Sequence, residues 1–143
     1  MAKHIWSVLC ERVLQDVDGQ QLSLIGVAEE LSIAEEFASE STAALAVNLA
    51  VASYWVREQS DVEERGYVRV DVRCPDASVI VGRELSVLLD RDWRAQTVGR
   101  IGSLPVRGAG RYEFRIHHRR DANCEWQLCA ELPLELRVDD IEQ

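Results

Sequence analysis

Lysine is almost missing from this sequence: Lys3 stands alone against fifteen arginines. Histidine is scarce as well, with three residues in a chain of 143. That leaves few candidates for general acid–base chemistry near neutral pH. No apolar run is both long and greasy enough to span a bilayer. The longest, from Ala43 to Val56, is too short and carries Asn48 and Ser53. The start, M-A-K-H-I-W-S-V, lacks the extended apolar region and cleavage site of a secretory signal and passes straight into a strand-like pattern. A soluble, cytoplasmic protein is the expectation. Arginine in place of lysine also suits the codon usage of a GC-rich bacterial genome. Internal repeats, low-complexity tracts and glycine-rich phosphate loops are absent.

Four cysteines, Cys10, Cys74, Cys124 and Cys129, are too few and too scattered for a disulfide framework, so free thiols are expected. The net charge of −9 argues against nucleic-acid binding, because phosphates are repelled by an acidic surface. The charge is unevenly spread. Residues 29–66 hold nine acids and two arginines, residues 91–120 hold eight arginines and two acids, and residues 121–143 are acidic again. Two readings follow. The basic segment lies against the acidic ones, within the fold or across a dimer, or it forms an arginine-lined surface for an acidic partner.

What is present in abundance is period-two alternation. From Trp126 to Val138 every even position is apolar, and the odd positions are polar apart from Cys129 and Pro133. That predicts one long strand with a greasy face needing a second layer. His4–Val13 predicts a first strand with apolar residues on both faces. Asp16–Gly19 reads as a hairpin turn, and Gln21–Ala28 as the returning strand, with Gly26 marking a bulge or close backbone approach. Glu29–Thr42 fits either a short helix or an acidic loop. Ala44–Val56 alternates large and small residues, which favours a strand over a helix. In Gly66–Cys74 the valines Val68, Val70 and Val72 point inward, with Arg69, Asp71 and Arg73 outward. Val79–Val81 and Glu84–Leu89 are short strand candidates around Gly82. Thr97–Val106, spaced by glycines, is a short or edge strand, and Arg111–His118 places Tyr112, Phe114 and Ile116 inward.

The sum is one all-β domain over residues 1–143. It reads as an antiparallel β-sandwich of about eight strands, immunoglobulin-like or C2-like, with room for one short helix. The last two strands should form a hairpin. A register with Arg119 opposite Asn123 sets Ile116 against Trp126, Phe114 against Leu128, Arg111 against Glu131 and His117 against Glu125.

Three segments carry a resemblance. They are V-L-C-E-R-V at 8–13 with L-S-L-I-G-V at 22–27, G-Y-V-R-V-D-V at 66–72, and G-A-G-R-Y-E-F-R-I at 108–116. Together they resemble an uncharacterised bacterial family of β-sandwich domains catalogued only as a domain of unknown function (number 6941 in that series). The resemblance implies the fold and offers no catalytic residues.

Site chemistry is sparse. Gly110-Arg111-Tyr112 resembles the tyrosine corner of sandwich folds, a structural device. His117, His118, Cys124 and Cys129 cluster around one hairpin, but His117 and His118 fall on opposite faces and the cysteine spacing is not that of a zinc site. Asp16, Asp18, Asp90 and Asp92 read as turn residues, short of the oxygen count calcium wants. No nucleophile motif occurs, so no metal, cofactor or enzymatic activity is expected. Trp93, flanked by Arg91 and Arg94 on a charged loop, is the candidate binding residue, because an amphipathic aromatic between arginines suits an interface. The functional expectation is a non-enzymatic module that binds a protein partner or itself, perforce through an edge strand or the Trp93 loop, with a homodimer one form of this. The alternative is a small-ligand sandwich, carbohydrate included, and a more distant one is an unrecognised hydrolase.

Overall fold

The alternation near the C-terminus becomes β10 (Gln127–Asp139), and the strands around it build two layers. The computed structural model describes residues 1–15, 21–34, 44–59 and 61–139. Before β10 come β1 (Lys3–Gln15), β2 (Leu22–Val27), β3 (Glu30–Ala34), β4 (Ala44–Val56) and β5 (Glu64–Arg73). They are followed by β6 (Val79–Ile80), β7 (Glu84–Leu89), β8 (Arg94–Pro105) and β9 (Gly110–Arg119). A four-stranded sheet runs β2-β1-β4-β8. The second sheet runs β3-β10-β9-β5-β6, with β7 also paired to β5. The described residues thus form an all-β sandwich of ten strands, with no helix.

The inner faces follow from the sequence pattern. Tyr112, Phe114 and Ile116 of β9 are fully buried, as are Leu134 and Leu136 of β10 and Trp55 of β4. β1 lies inside its sheet, which suits a strand apolar on both faces. β1 and β2 pair antiparallel from Gln15 opposite Leu22, although the Asp16–Gly19 turn lies outside the described residues. Gly26 has a φ of +70°, a conformation that favours glycine, and a Cβ there would lie 2.9 Å from the Glu11 carboxylate. The β1–β2 register runs past it without a shift, so the bulge expected there does not form.

Two further expectations are corrected, the state of Glu30–Ala34 and the register of the last hairpin. Glu30–Ala34 is neither helix nor loop but a strand, pairing parallel to β10 with Leu31 beside Leu136. Its Leu-x-Ile alternation is short, and the free edge of β10 decides the outcome over local propensity. The remainder of the 29–42 stretch lies outside the described residues, apart from Glu29. β8 is an edge strand but a long one.

The β9–β10 hairpin forms in a different register. Leu128 stands opposite His117 and Ala130 opposite Ile116, with a bulge between them, and Leu132 rather than Leu128 faces Phe114. Glu131 meets Arg115 instead of Arg111. The connection is longer than expected because Trp126 is drawn onto the outer face. There the Arg69 guanidinium lies 4.6 Å from its ring centre and that of Arg119 4.2 Å. Leu128 is consequently 44% exposed.

Asp71 points away from the core, as expected, but is only 3% exposed. Arg69 grips it with two prongs at 2.8 and 2.9 Å, the Gly82 N–H donates to it at 3.1 Å, and His117 lies 3.4 Å away. A buried carboxylate needs such partners. Gly82 can supply its N–H because a Cβ there would collide with the Val70 carbonyl oxygen. The tyrosine corner is formed: the Tyr112 hydroxyl accepts from the Arg107 N–H at 2.8 Å and donates to the Gly108 carbonyl at 2.8 Å.

One end of the core is polar. Trp55 touches His4 edge-on at 5.1 Å and His118 at 5.0 Å between ring centres, and its indole N–H donates to Thr97 Oγ1 at 3.0 Å. Burial holds His118 and His4 below the ordinary histidine value of 6.5. For His118 the nearby amino terminus adds to this and Glu64 opposes it. His117 is lowered too, burial outweighing the attraction of Asp71.

Two outcomes are expected. Leu134→Ala or Leu136→Ala should cost ~2–5 kcal/mol in urea unfolding, whereas Leu128→Ala, half in water, should cost roughly 1 kcal/mol or less. Equal losses at Leu128 and Leu134 would refute the observed register. The histidines also fix a pH dependence. Their folded values lie below the unfolded one, so the unfolded chain binds more protons in that window. Stability is then complete above about pH 6.5 and falls as pH drops toward the folded values. Urea midpoints should decline between about pH 8 and about pH 5, and less so in His118→Phe.

Candidate functional site

β8 has one strand neighbour, β4, and its other edge is unpaired among the described residues. An uncovered edge presents a row of N–H and C=O groups, which natural sheets usually blunt with lysine, proline or brevity. β8 is twelve residues long, carries no lysine and meets a proline only at its last position. Its alternation sorts two sets of side chains. Ala95, Thr97, Gly99 and Ile101 face the core, while Arg94, Gln96, Val98 and Arg100 face outward. Beyond Gly102 the parity reverses, so that Leu104 is buried.

Beneath this edge the two sheets part. A cleft of about 460 Å³ runs between β8 and the β5–β6–β7 side of the other sheet. Its apolar lining comes from Val70, Val72, Ile80, Leu85 and Ile101, and its only charged lining residues are Arg83 and Arg100. Gly99 leaves room here: a Cβ on it would lie 3.6 Å from Val70 Cγ2 and 3.7 Å from Leu85 Cδ1. Val79, Ile80 and Val81, at the outer rim of β6, are consecutive exposed apolar residues, Val81 at 61%. Such a run on an edge is unfavourable in water unless something covers it.

Trp93 sits at the other end of β8, in the bend between β7 and β8, and is 49% exposed. The Arg94 guanidinium lies 5.5 Å from its ring centre. The bend is held by backbone: the Arg57 N–H donates to the Trp93 carbonyl at 2.8 Å, and Asp92 accepts from the Trp93 N–H at 2.8 Å. Arg91 is exposed beside it. Trp93, Arg91 and Arg94 thus flank the start of the open edge and do not line the cleft.

The arginines divide into two groups. On the outer face of the six-stranded sheet they are paired: Arg115 with Glu131 at 3.4 Å, Arg119 with Glu84 at 2.8 Å, and Arg137 with Glu30 at 2.9 Å. Arg83, Arg91, Arg94 and Arg100 form no ion pair among the described residues. Asp90 and Glu84 pair with other arginines, Arg65 and Arg119, and Asp92 accepts from the Trp93 N–H. Within the basic segment, Arg115 and Arg119 are thus paired inside the fold, and Arg91, Arg94 and Arg100 are not.

One contact escaped the sequence reading. Ser7 Oγ lies 2.7 Å from His4 Nε2 and 2.6 Å from Ser53 Oγ. Residues three apart on a strand normally face opposite ways, and a bulge between His4 and Trp6 brings these two together. Ser53 is 1% exposed, and these bonds satisfy its hydroxyl and that of Ser7. All four cysteines are free, and no group of three or more potential metal ligands is gathered among the described residues.

The fold and this strip define a β-sandwich in which one of the sheet edges, β8, is long and flanked by arginines. No protein-family model and no curated protein matches the chain.

Trp93→Ala should leave the thermal midpoint nearly unchanged, within about 0.5 kcal/mol of stability. A large drop, with the oligomeric state unaltered, would make the ring a structural plug.

Proposed function

We propose that this domain is a non-enzymatic protein-interaction module that takes an extended segment of a partner as an added strand along β8. The observation that carries the reading is the long unpaired edge of β8 directly above an apolar cleft. In strand addition the main-chain hydrogen bonds supply affinity, and pockets for alternate side chains supply selectivity. The cleft supplies such pockets, Gly99 leaves space above Val70 and Leu85, and the exposed Val79–Val81 rim would be covered by the incoming chain. Trp93 at the start of the edge offers an aromatic anchor of the kind that dominates interfaces.

A second reading, a small-ligand module, draws support from the cleft volume, which falls in the range of small-molecule sites.

Amide hydrogen exchange separates the two. Peptides alternating threonine with valine should bind and slow exchange in β8. Gly99→Val, which fills the cleft, and Val81→Lys, on the exposed rim, should weaken binding about tenfold without shifting the unfolding midpoint. Failure of every alternating peptide to bind, or protection confined to other strands, would overturn strand addition. Dodecanoate binding in the cleft with β8 amides unprotected would favour the small-ligand reading instead.

A further inference from the structure

We infer that the segment captured by β8 is acidic and apolar in alternation. The inference rests on the strand-addition reading and adds the chemistry of the occupant.

The outward side chains of β8 carry Arg94 and Arg100, six residues apart on the same face, and the strand has no acid of its own. Arg83 joins Arg100 in lining the cleft, and Arg91 lies just before the strand. All four are exposed and without an ion pair among the described residues, although the chain as a whole is acidic at −9. Charge of this kind is complementary to carboxylates, and arginine contacts them two-pronged.

The two faces of an added strand would then meet different environments. Side chains turned inward would lie over Val70, Val72, Leu85 and Ile101, where apolar residues fit. Those turned outward would lie beside Arg94 and Arg100, where glutamate or aspartate fits. Recognition is therefore by period-two alternation of acidic and apolar residues, with no fixed motif required.

The same arginines count against two registers of self-pairing. Two β8 edges related by a two-fold axis centred on Thr97 would set Arg94 of each copy opposite Arg100 of the other. A centre at Arg100 would set that residue against itself. Like charges directly opposite across strands are destabilising, and the −9 charge of each copy adds to the repulsion.

Fluorescence anisotropy with the full chain and three labelled peptides tests this, the peptides alternating valine with glutamate, threonine or lysine. The glutamate peptide should bind about tenfold tighter than the threonine one, the effect of two exposed ion pairs, and the lysine peptide weakest. The spread should shrink as salt rises. The double variant Arg94→Glu/Arg100→Glu should reverse the order, and its unfolding midpoint reports that it folds. Lysine and glutamate peptides binding equally to the native chain, or an order unchanged in the double variant, would overturn the acidic occupant. If the threonine peptide still protects β8 in that case, strand addition itself survives. No binding by any of the three would overturn both.

Discussion

The Trp55 indole is where the two sheets are locked together. It rises from β4 of one sheet and lies against His118 of β9 in the other, with His4 at its edge and Thr97 accepting its N–H. Four strands from both layers therefore converge on one fully buried ring. Packing of two sheets face to face is otherwise non-directional, since apolar burial sets area and not angle. The hydrogen bond to Thr97 and the His4 contact orient the ring within the four-stranded sheet, and its one contact across the layers, with His118, gives this packing a defined alignment. Burial holds the pKa values of both imidazoles down and so favours their neutral forms at this polar end of the core.

The division among arginines has a similar economy. Those on β9 and β10 face a neighbouring strand and find carboxylates there, at spacings a ladder provides. Those along β8 face the side where the ladder stops. Exposed pairs contribute little to stability, so the paired set mainly keeps like charges apart on a crowded face. The unpaired set leaves a positive strip on a negative molecule, the pattern that steers an oppositely charged partner toward one edge.

Much of the fold was legible from period two alone. β1, β4, β5, β9 and β10 each read as strands, and the inward residues Val68, Tyr112, Phe114, Ile116 and Leu134 follow directly from alternation. Failures came where alternation breaks or where a distant partner decides. The bulge in β10 moved Leu128 into water, and the pull of two guanidiniums moved Trp126 out of the core; neither leaves a local signal. β3 was missed because a strand of five residues owes its state to β10 and not to its own propensity. Of the candidate site, the exposure of Trp93 was readable from the charges around it. The open edge of β8 was half readable, since its glycines suggested an edge but not its length. The cleft was not readable, because it exists only in the gap between residues of β5, β7 and β8.

The parallel pairing of β3 with β10 sets an order of events during synthesis. Glu30 is made well before its neighbour Glu135. Until β10 leaves the ribosome, β3 has no ladder to join and β9 has only β5 beside it. The four-stranded sheet has no such delay, since β2, β1, β4 and β8 all precede β9. One layer can thus be assembled while the other still lacks its middle, leaving its apolar face uncovered for that interval. Pairings this distant along the chain are slow to form, so the parallel ladder of β3 on β10 is expected to close late.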